Sequence, residues 1–224
     1  MGEDSWYSSF WTYLEFTWEN LLELALAHSI IVILSVAIST VIGVGLGMAT
    51  YRAQRPRELV LAVTGTFLTI PSLALFTLLI QVPVLGLGAP SVVVALVLYG
   101  LLPIVRNTIV GLREVDPSVV ESALGMGMSR WKRLLRIELP LAWPIIITGI
   151  RVAAVIIVGI AAIAAVVNGP GLGKDIFRAL ARFGTPTALP QALSAVLGII
   201  IIAILIDLVF TVVARLTTSR GIRA

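Results

Sequence analysis

The chain has 224 residues, of which 58% are hydrophobic and 12% charged, and its mean hydropathy is +1.05. This composition excludes an ordinary soluble domain. Apolar runs long enough to cross about 30 Å of hydrocarbon recur, and the alternation typical of an outer-membrane barrel is absent, so we expect an all-α integral membrane protein. The basic residues behind the net charge of +4 lie between apolar runs, which argues against a nucleic-acid partner, and the lack of cysteine excludes disulfide and thiol chemistry.

The segment 1–23 is aromatic and acidic. Positions 7, 10, 14, 17/18 and 21 fall on one helical face. We therefore expect an amphipathic helix that lies at the membrane surface, with its rings in the interfacial belt. An aromatic cage for a quaternary ammonium cation is the alternative, because ring faces attract such cations. The rings are those of Trp6, Tyr7, Phe10, Trp11, Tyr13, Phe16 and Trp18.

Apolar stretches within residues 24–214 predict five membrane-spanning helices. In the first, Gly43 and Gly47 indicate close packing against another helix. In the second, Pro71 predicts a kink at membrane depth, because proline removes a backbone hydrogen bond from a helix. The approximate ranges of the five helices are 25–50, 58–82, 90–112, 138–167 and 190–214.

The basic residues predict the orientation of these helices. Eleven of the sixteen fall on one side of the expected spans, and residues 1–23 contain no lysine or arginine. The positive-inside rule therefore predicts an N-terminus outside, with the segment 116–140 and the short basic tail 215–224 in the cytoplasm. The residues that set this bias are Arg52, Arg55, Arg57, Arg113, Arg130, Lys132, Arg133, Arg136, Arg215, Arg220 and Arg223.

Residues 116–140 form a polar, basic island in this apolar chain. Asp116 and Pro117 are typical of a helix start. Ser118 with Glu121 offers a competing start as a capping box. Glycines at 125 and 127 are expected to interrupt the helix, and a second amphipathic turn then leads into the next apolar run. From its charge alone, the island would be a solvated loop.

The pattern of the island resembles the EAA loop of permease subunits of bacterial ABC importers. The matching positions are Glu121, Ser122, Ala123, Gly127, Ile137, Leu139 and Pro140. Three residues separate Ala123 from Gly127, nine more precede Ile137, and Ser122 stands where the family usually has alanine. The resemblance implies about five transmembrane helices of the type I ABC importer permease fold, with a cytoplasmic coupling loop.

The same resemblance implies roles for five residues of the island. Its first short helix would dock in a cleft on a separate ATPase subunit, which transmits motion to the transport pathway. An elbow at the second glycine and small side chains would permit close docking, and the acidic group would pair with a basic group on the ATPase. These coupling residues are Glu121, Ser122, Ala123, Gly125 and Gly127.

Four further segments resemble one subfamily of these permeases, which imports glycine betaine, carnitine, choline and related quaternary ammonium compounds. They are 69–75, 101–108, 149–151 and 171–178. The chain departs from the subfamily pattern at 168–171, where small residues and glycines are usual. A related importer for an amino acid such as methionine is the nearest alternative. A stand-alone secondary transporter or channel and a purely structural membrane subunit are the others.

The energy source is expected on another chain. Residues 168–174 fail as a phosphate loop, because Walker A requires glycine and Ser/Thr where this chain has Asn168 and Asp175. We therefore expect a transport subunit of the bacterial inner membrane that is not an enzyme and holds no cofactor or metal, with ATP and magnesium on the partner. The resemblance implies ATPase subunits, a second permease subunit and an external substrate-binding protein as partners. The choice of homodimer or heterodimer, the particular cargo and the cargo contacts stay open.

Two groups of charged residues outside the island are further candidates for functional roles. Lys174, Arg178 and Arg182 recur at a spacing of four, so they share a helix face on the outer side. They form either a solvated or headgroup-facing surface or a docking surface for the binding protein. Arg151 and Asp207 lie inside spans, where charges are normally paired, so we expect them to face the bundle as a pair that joins the fourth and fifth helices.

Overall fold

The computed structural model describes residues 4–217, and every regular element in that range is helical. Four helices of this range are long and apolar enough to cross a membrane, and a bent pair supplies a fifth crossing if it counts as one span. The fold is therefore the expected all-α membrane fold. The four helices are α1 (Asp4–Thr50), α4 (Ala89–Arg113), α7 (Leu139–Ile163) and α9 (Ala188–Thr217), and the bent pair is α2 (Gln54–Thr69) and α3 (Ser72–Leu79).

Helix α1 differs from the expectation of a separate surface helix followed by a span. It is continuous over 47 residues, because residues 4–42 contain no glycine or proline that would interrupt its hydrogen bonds. At 1.5 Å per residue it measures about 70 Å, more than twice the hydrocarbon thickness. Its N-terminal part carries exposed Trp11, Phe16 and Trp18, and Tyr13 on it is partly buried. Residues 1–3 of the predicted aromatic segment lie outside the described residues.

The second expected span, 58–82, is broken. Helices α2 and α3 meet at an angle of 99°. The cause is Pro71, which excludes the residue before it from the helical region, so Ile70 is extended with ψ 130°. The Ile70 carbonyl at the break accepts a hydrogen bond of 2.7 Å from the hydroxyl of Tyr99 on α4. A side chain from a neighbouring helix thus satisfies the interrupted backbone, as the membrane interior requires.

Helices α1, α4 and α7 pack together as the core of the bundle. A Cβ atom at Gly43 would lie 2.8 Å from Cγ2 of Ile104, and one at Gly47 would lie 2.5 Å from Cγ2 of Thr108. Both glycines of α1 therefore let its backbone approach α4 more closely than any side chain would permit. Helix α9 packs on α1, α7 and the short helix α8 (Gly173–Ala181).

The remaining elements lie at the two ends of the bundle. Helix α5 (Pro117–Gly125), helix α6 (Arg130–Arg133) and a π-helical turn (Leu134–Glu138) connect α4 to α7. We call this the loop end. The last residue of α9 also lies there, because Nε1 of Trp143 near the start of α7 donates to Oγ1 of Thr217 at 2.7 Å. A 3₁₀ turn (Ala164–Val167) and α8 lie at the opposite end.

Replacing Gly47 with alanine should destabilise the bundle. The added methyl group would overlap the β-branched Thr108, and overpacking of this kind costs about 1–3 kcal/mol of unfolding free energy. The measurement is the thermal unfolding midpoint of the purified protein in detergent. Gly45→Ala is the matched control, since nothing lies within 4 Å of its Cβ position. Equal midpoints for the two variants would contradict the close contact of α1 and α4.

Candidate functional site

Helix α5 begins as the sequence predicts. Pro117 is its first residue, and Oδ1 of Asp116 accepts a hydrogen bond of 2.8 Å from the backbone N–H of Ser118. This hydrogen bond holds the pKa of the Asp116 carboxyl below its usual value, so the capping carboxylate stays charged at neutral pH. The capping box from Ser118 to Glu121 is not the start that the helix uses.

Helix α5 ends in a Schellman motif. The N–H of Gly127 donates to the carbonyl of Leu124 at 2.9 Å, and the N–H of Met128 donates to the carbonyl of Ala123 at 3.1 Å. Gly127 has φ +74°, in the left-handed region that glycine adopts without strain. The elbow is therefore at Gly127 alone. Gly125, which we expected to interrupt the helix as well, is its last helical residue.

The two sides of α5 differ in exposure. Ser118, Ser122 and Gly125 are exposed and lie on one helical face at spacings of four and three. We call these residues the small-residue face. Ala123 is fully buried within the protein, so it packs inward and offers no side chain to a partner, which corrects the expectation that it contributes to a docking surface. Glu121 is exposed and lines a groove of about 460 Å³ between α5 and the base of α7.

A buried charge cluster forms the floor of this groove. Glu138 accepts hydrogen bonds from the hydroxyl of Tyr51 at 2.6 Å, from Nη2 of Arg52 at 2.8 Å and from Nε of Arg133 at 2.6 Å. Glu138 and Arg133 are only 1% and 2% exposed. Burial and the contact with Glu138 raise the pKa of Tyr51 to about 12, so its hydroxyl keeps the proton that it donates. We call Tyr51, Arg52, Arg133 and Glu138 the Glu138 cluster.

Sequence patterns alone do not indicate this cluster. Glu138 occupies the unspecified position of the pattern Ile137-x-Leu139-Pro140, and helical periodicity does not relate it to Arg133 five residues earlier. One sequence signal was available. Glu138 is the only acidic residue between positions 122 and 174, and it lies where an apolar span begins. A lone acid beside several bases at a membrane boundary indicates an ion pair.

Arg151 of α7 and Asp207 of α9 form a bidentate ion pair. Nη2 of Arg151 donates to Oδ2 of Asp207 at 2.6 Å, and Nε donates to Oδ1. The pair joins the two helices, as expected. It does not face the interior of the bundle, because the two side chains are 46% and 36% exposed. The charges therefore lie on the outer surface of this chain, within two helices that are long and apolar enough to cross a membrane.

The three cations around α8 are not equivalent. Nη1 of Arg178 donates to the buried Oδ1 of Asp175 at 3.0 Å, and Nε2 of Gln191 on α9 donates to the same oxygen at 3.1 Å. Arg178 thus helps to anchor α8, and its charge is partly neutralised. Lys174 is half-buried and Arg182 is exposed. The sequence predicted one shared cationic face, whereas the structure gives Arg178 a local partner.

Solved structures identify the fold. A chain of the MetNI methionine ABC transporter in an inward-facing conformation matches with a TM-score of 0.77, at 21% sequence identity, over 89% of this chain and 96% of that chain. A second MetNI crystal form matches with a TM-score of 0.76, at 20% identity, over 98% of this chain and 100% of that chain. The protein is an integral membrane protein of the type I ABC importer permease fold.

The family follows from sequence comparison. The model of the family described as binding-protein-dependent transport system inner membrane component matches residues 39–220, and the chain belongs to this family. It is a transport permease subunit, of a kind that works with ATPase subunits and a binding protein. The family that the pattern of the island implied is thereby confirmed.

Curated relatives narrow the similarity further. The glycine betaine/carnitine/choline transport system permease protein OpuCB of Bacillus subtilis is 34% identical, with 95% of each chain covered. The osmoprotectant import permease protein OsmW of Salmonella typhimurium is 37% identical, with 91% of this chain and 94% of the relative covered. OpuCD of Bacillus subtilis, which carries the same description as OpuCB, is 40% identical over 76% of each chain. These names agree with the subfamily that the sequence segments resemble.

The Arg151–Asp207 pair should behave as one energetic unit. Arg151→Ala and Asp207→Ala should each lower the thermal midpoint, because each leaves a charge without its partner at membrane depth. The double variant should cost clearly less than the sum of the two single changes. The three midpoints are measured in proteoliposomes. Additive losses would show that the two residues are not coupled.

Proposed function

We propose that this chain is the membrane-spanning subunit of an ATP-driven importer of quaternary ammonium osmoprotectants such as glycine betaine, carnitine and choline. The relatives that carry these cargoes in their names support the substrate class, since two of them match almost the whole chain. The observation that carries the coupling role is the geometry of α5. It is a short capped helix at the loop end of the bundle, with an exposed face of small residues.

The small-residue face is the contact that we assign to the ATPase. Ser118, Ser122 and Gly125 have little bulk, so a partner surface can approach the backbone of α5 closely. Glu121 lies beside this face and offers a carboxylate to a basic group of the partner. ATP and magnesium bind the partner, and this chain performs no covalent chemistry. Ala123 contributes by packing α5 onto its own chain instead.

The exposed Arg151–Asp207 pair supports the proposed assembly. A half-exposed ion pair at membrane depth is costly against lipid, so it is expected to face water or protein. In our proposal, this surface of α7 and α9 faces the transport pathway or the second permease subunit. The loop end faces the cytoplasm of a bacterial cell and α8 faces outward, with the N-terminus outside, in agreement with the distribution of basic residues.

An external binding protein would meet the α8 end. Arg182 is exposed and Lys174 is half-buried, so these two cations are the ones available for acidic groups of that partner. Arg178 already shares its charge with Asp175. Selectivity for the cargo is then expected mainly in the binding protein, because no aromatic cage is among the ring contacts of the described residues.

Substitution Ser122→Arg tests the coupling role. A long charged side chain on the small-residue face should hold the ATPase away, and recovery of the ATPase with tagged protein from native membranes should fall about tenfold or more, which is about 1.4 kcal/mol of binding free energy. Gln54→Arg is the matched control, since Gln54 is exposed at the loop end and its side chain donates to the equally exposed Glu58. Full recovery of the ATPase with Ser122→Arg would contradict the proposal.

The cargo is tested in the same preparation. Uptake of labelled glycine betaine into proteoliposomes that contain the recovered complex and its binding protein should be inhibited by carnitine or choline and unaffected by methionine. Inhibition by methionine and not by carnitine or choline would contradict the proposed cargo class and favour an amino-acid importer. It would leave the coupling role in place, because that role depends on recovery of the ATPase.

A further inference from the structure

The Glu138 cluster joins three parts of the chain that are distant in sequence. Tyr51 and Arg52 follow the end of α1, Arg133 ends α6, and Glu138 ends the π-helical turn before α7. The hydrogen bonds from Tyr51 and Arg52 to Glu138 bridge more than 80 residues of sequence. At the loop end, the carboxylate of Glu138 thus connects the C-terminal end of α1 to the N-terminal end of α7.

The π-helical turn makes this arrangement possible. On an α-helix of 3.6 residues per turn, side chains five positions apart point about 140° away from each other. The turn is wider here, because the N–H of Leu139 donates to the carbonyl of Leu134 five residues earlier. Arg133 and Glu138 consequently lie side by side, with 2.6 Å between Nε and Oε1. Pro140, which lacks an N–H, follows directly and disfavours a regular α-helical turn at this place.

Because the cluster is buried, one of its charged groups cannot easily move without the others. Separating a buried ion pair strongly destabilises a protein, so Glu138 and Arg133 are expected to stay paired when the protein changes conformation. Arg52 is 43% exposed and brings a second positive charge to the same carboxylate. The ends of α1, α6 and α7 are therefore constrained to move as one body.

Helix α5 rests on this body. Glu121 and Leu124 of α5 line the same groove as Tyr51, Arg133 and Glu138. The Schellman motif fixes the chain that leaves α5, and Ser129 caps α6, accepting a hydrogen bond of 3.4 Å from the N–H of Lys132. A force on α5 thus meets a short connection and then the Glu138 cluster, before it reaches the apolar parts of α1 and α7.

We propose that Glu138 is a positioning residue for coupling, which transmits displacement of α5 to α1 and α7 together. The proposal rests on the proposed function, in which the ATPase moves α5. A purely structural role would predict only lower stability when Glu138 is changed. A positioning role predicts in addition that ATP hydrolysis continues while fewer cargo molecules are imported for each ATP.

The test uses the whole importer in proteoliposomes, with the ratio of glycine betaine imported to ATP hydrolysed as the readout. Glu138→Gln keeps the shape of the side chain and removes its charge, so the ratio should fall about tenfold while the ATPase remains bound. Tyr51→Phe removes the two hydrogen bonds of the hydroxyl, which donates to Glu138 and accepts from Nε of Arg52, and keeps both ion pairs, so a smaller, about threefold fall is expected. Glu58→Gln is the matched control, because Glu58 is exposed and its hydrogen-bond partner is Gln54.

Each outcome decides between the roles. A wild-type ratio in Glu138→Gln overturns the proposal, and so does loss of the fold in that variant with a wild-type ratio in Tyr51→Phe. Graded losses in the two variants, with the ATPase retained and Glu58→Gln unchanged, support it. The unmodified protein reports separately on the proposed function, since failure to retain an ATPase or to import cargo would appear in that sample as well.

Discussion

The membrane interior contains no water to hydrogen bond with backbone or charged groups, so these groups need partners within the protein. Several features of this structure follow from that constraint. The chain crosses as helices, and where one helix breaks at Pro71, the hydroxyl of Tyr99 reaches the exposed carbonyl. The two charges at membrane depth pair with each other across α7 and α9. Close packing at Gly47 then holds α1 against α4, together with a hydrogen bond from the hydroxyl of Ser39 on α1 to the carbonyl of Val97 on α4.

The loop end shows how a polar element is attached to such an apolar bundle. Helix α5 presents small residues outward and buries Ala123 inward, so in our proposal one face contacts the ATPase while the other packs on its own chain. The chain that leads from α5 to α7 passes through the Glu138 cluster. There, hydrogen bonds to Glu138 join the ends of α1, α6 and α7. In our proposal, the ATPase displaces α5, and this cluster transmits the displacement to both α1 and α7.

Several elements were predictable because their causes are local. The elbow at Gly127 and the break at Pro71 each follow from one residue's backbone preference, and the cap at Asp116 follows from a side-chain oxygen that reaches the next backbone N–H groups. The continuity of α1 could also have been expected, since residues 4–42 contain no helix-breaking residue, but the aromatic and acidic residues of 1–23 favoured a separate helix at the membrane surface. What the sequence hid depends on tertiary partners. Periodicity does not show that Arg133 and Glu138 meet across a π-helical turn, or that Gln191 of α9 donates to Asp175.

Site-specific cross-linking tests the central claim most directly, because the natural chain contains no cysteine and each introduced thiol is unique. Ser122→Cys on the small-residue face should cross-link to the ATPase subunit, with a yield that changes when ATP is added. Arg182→Cys at the opposite end should not reach the ATPase. Cross-linking of the ATPase from position 182, with none from position 122, would contradict both the coupling role of α5 and the proposed orientation.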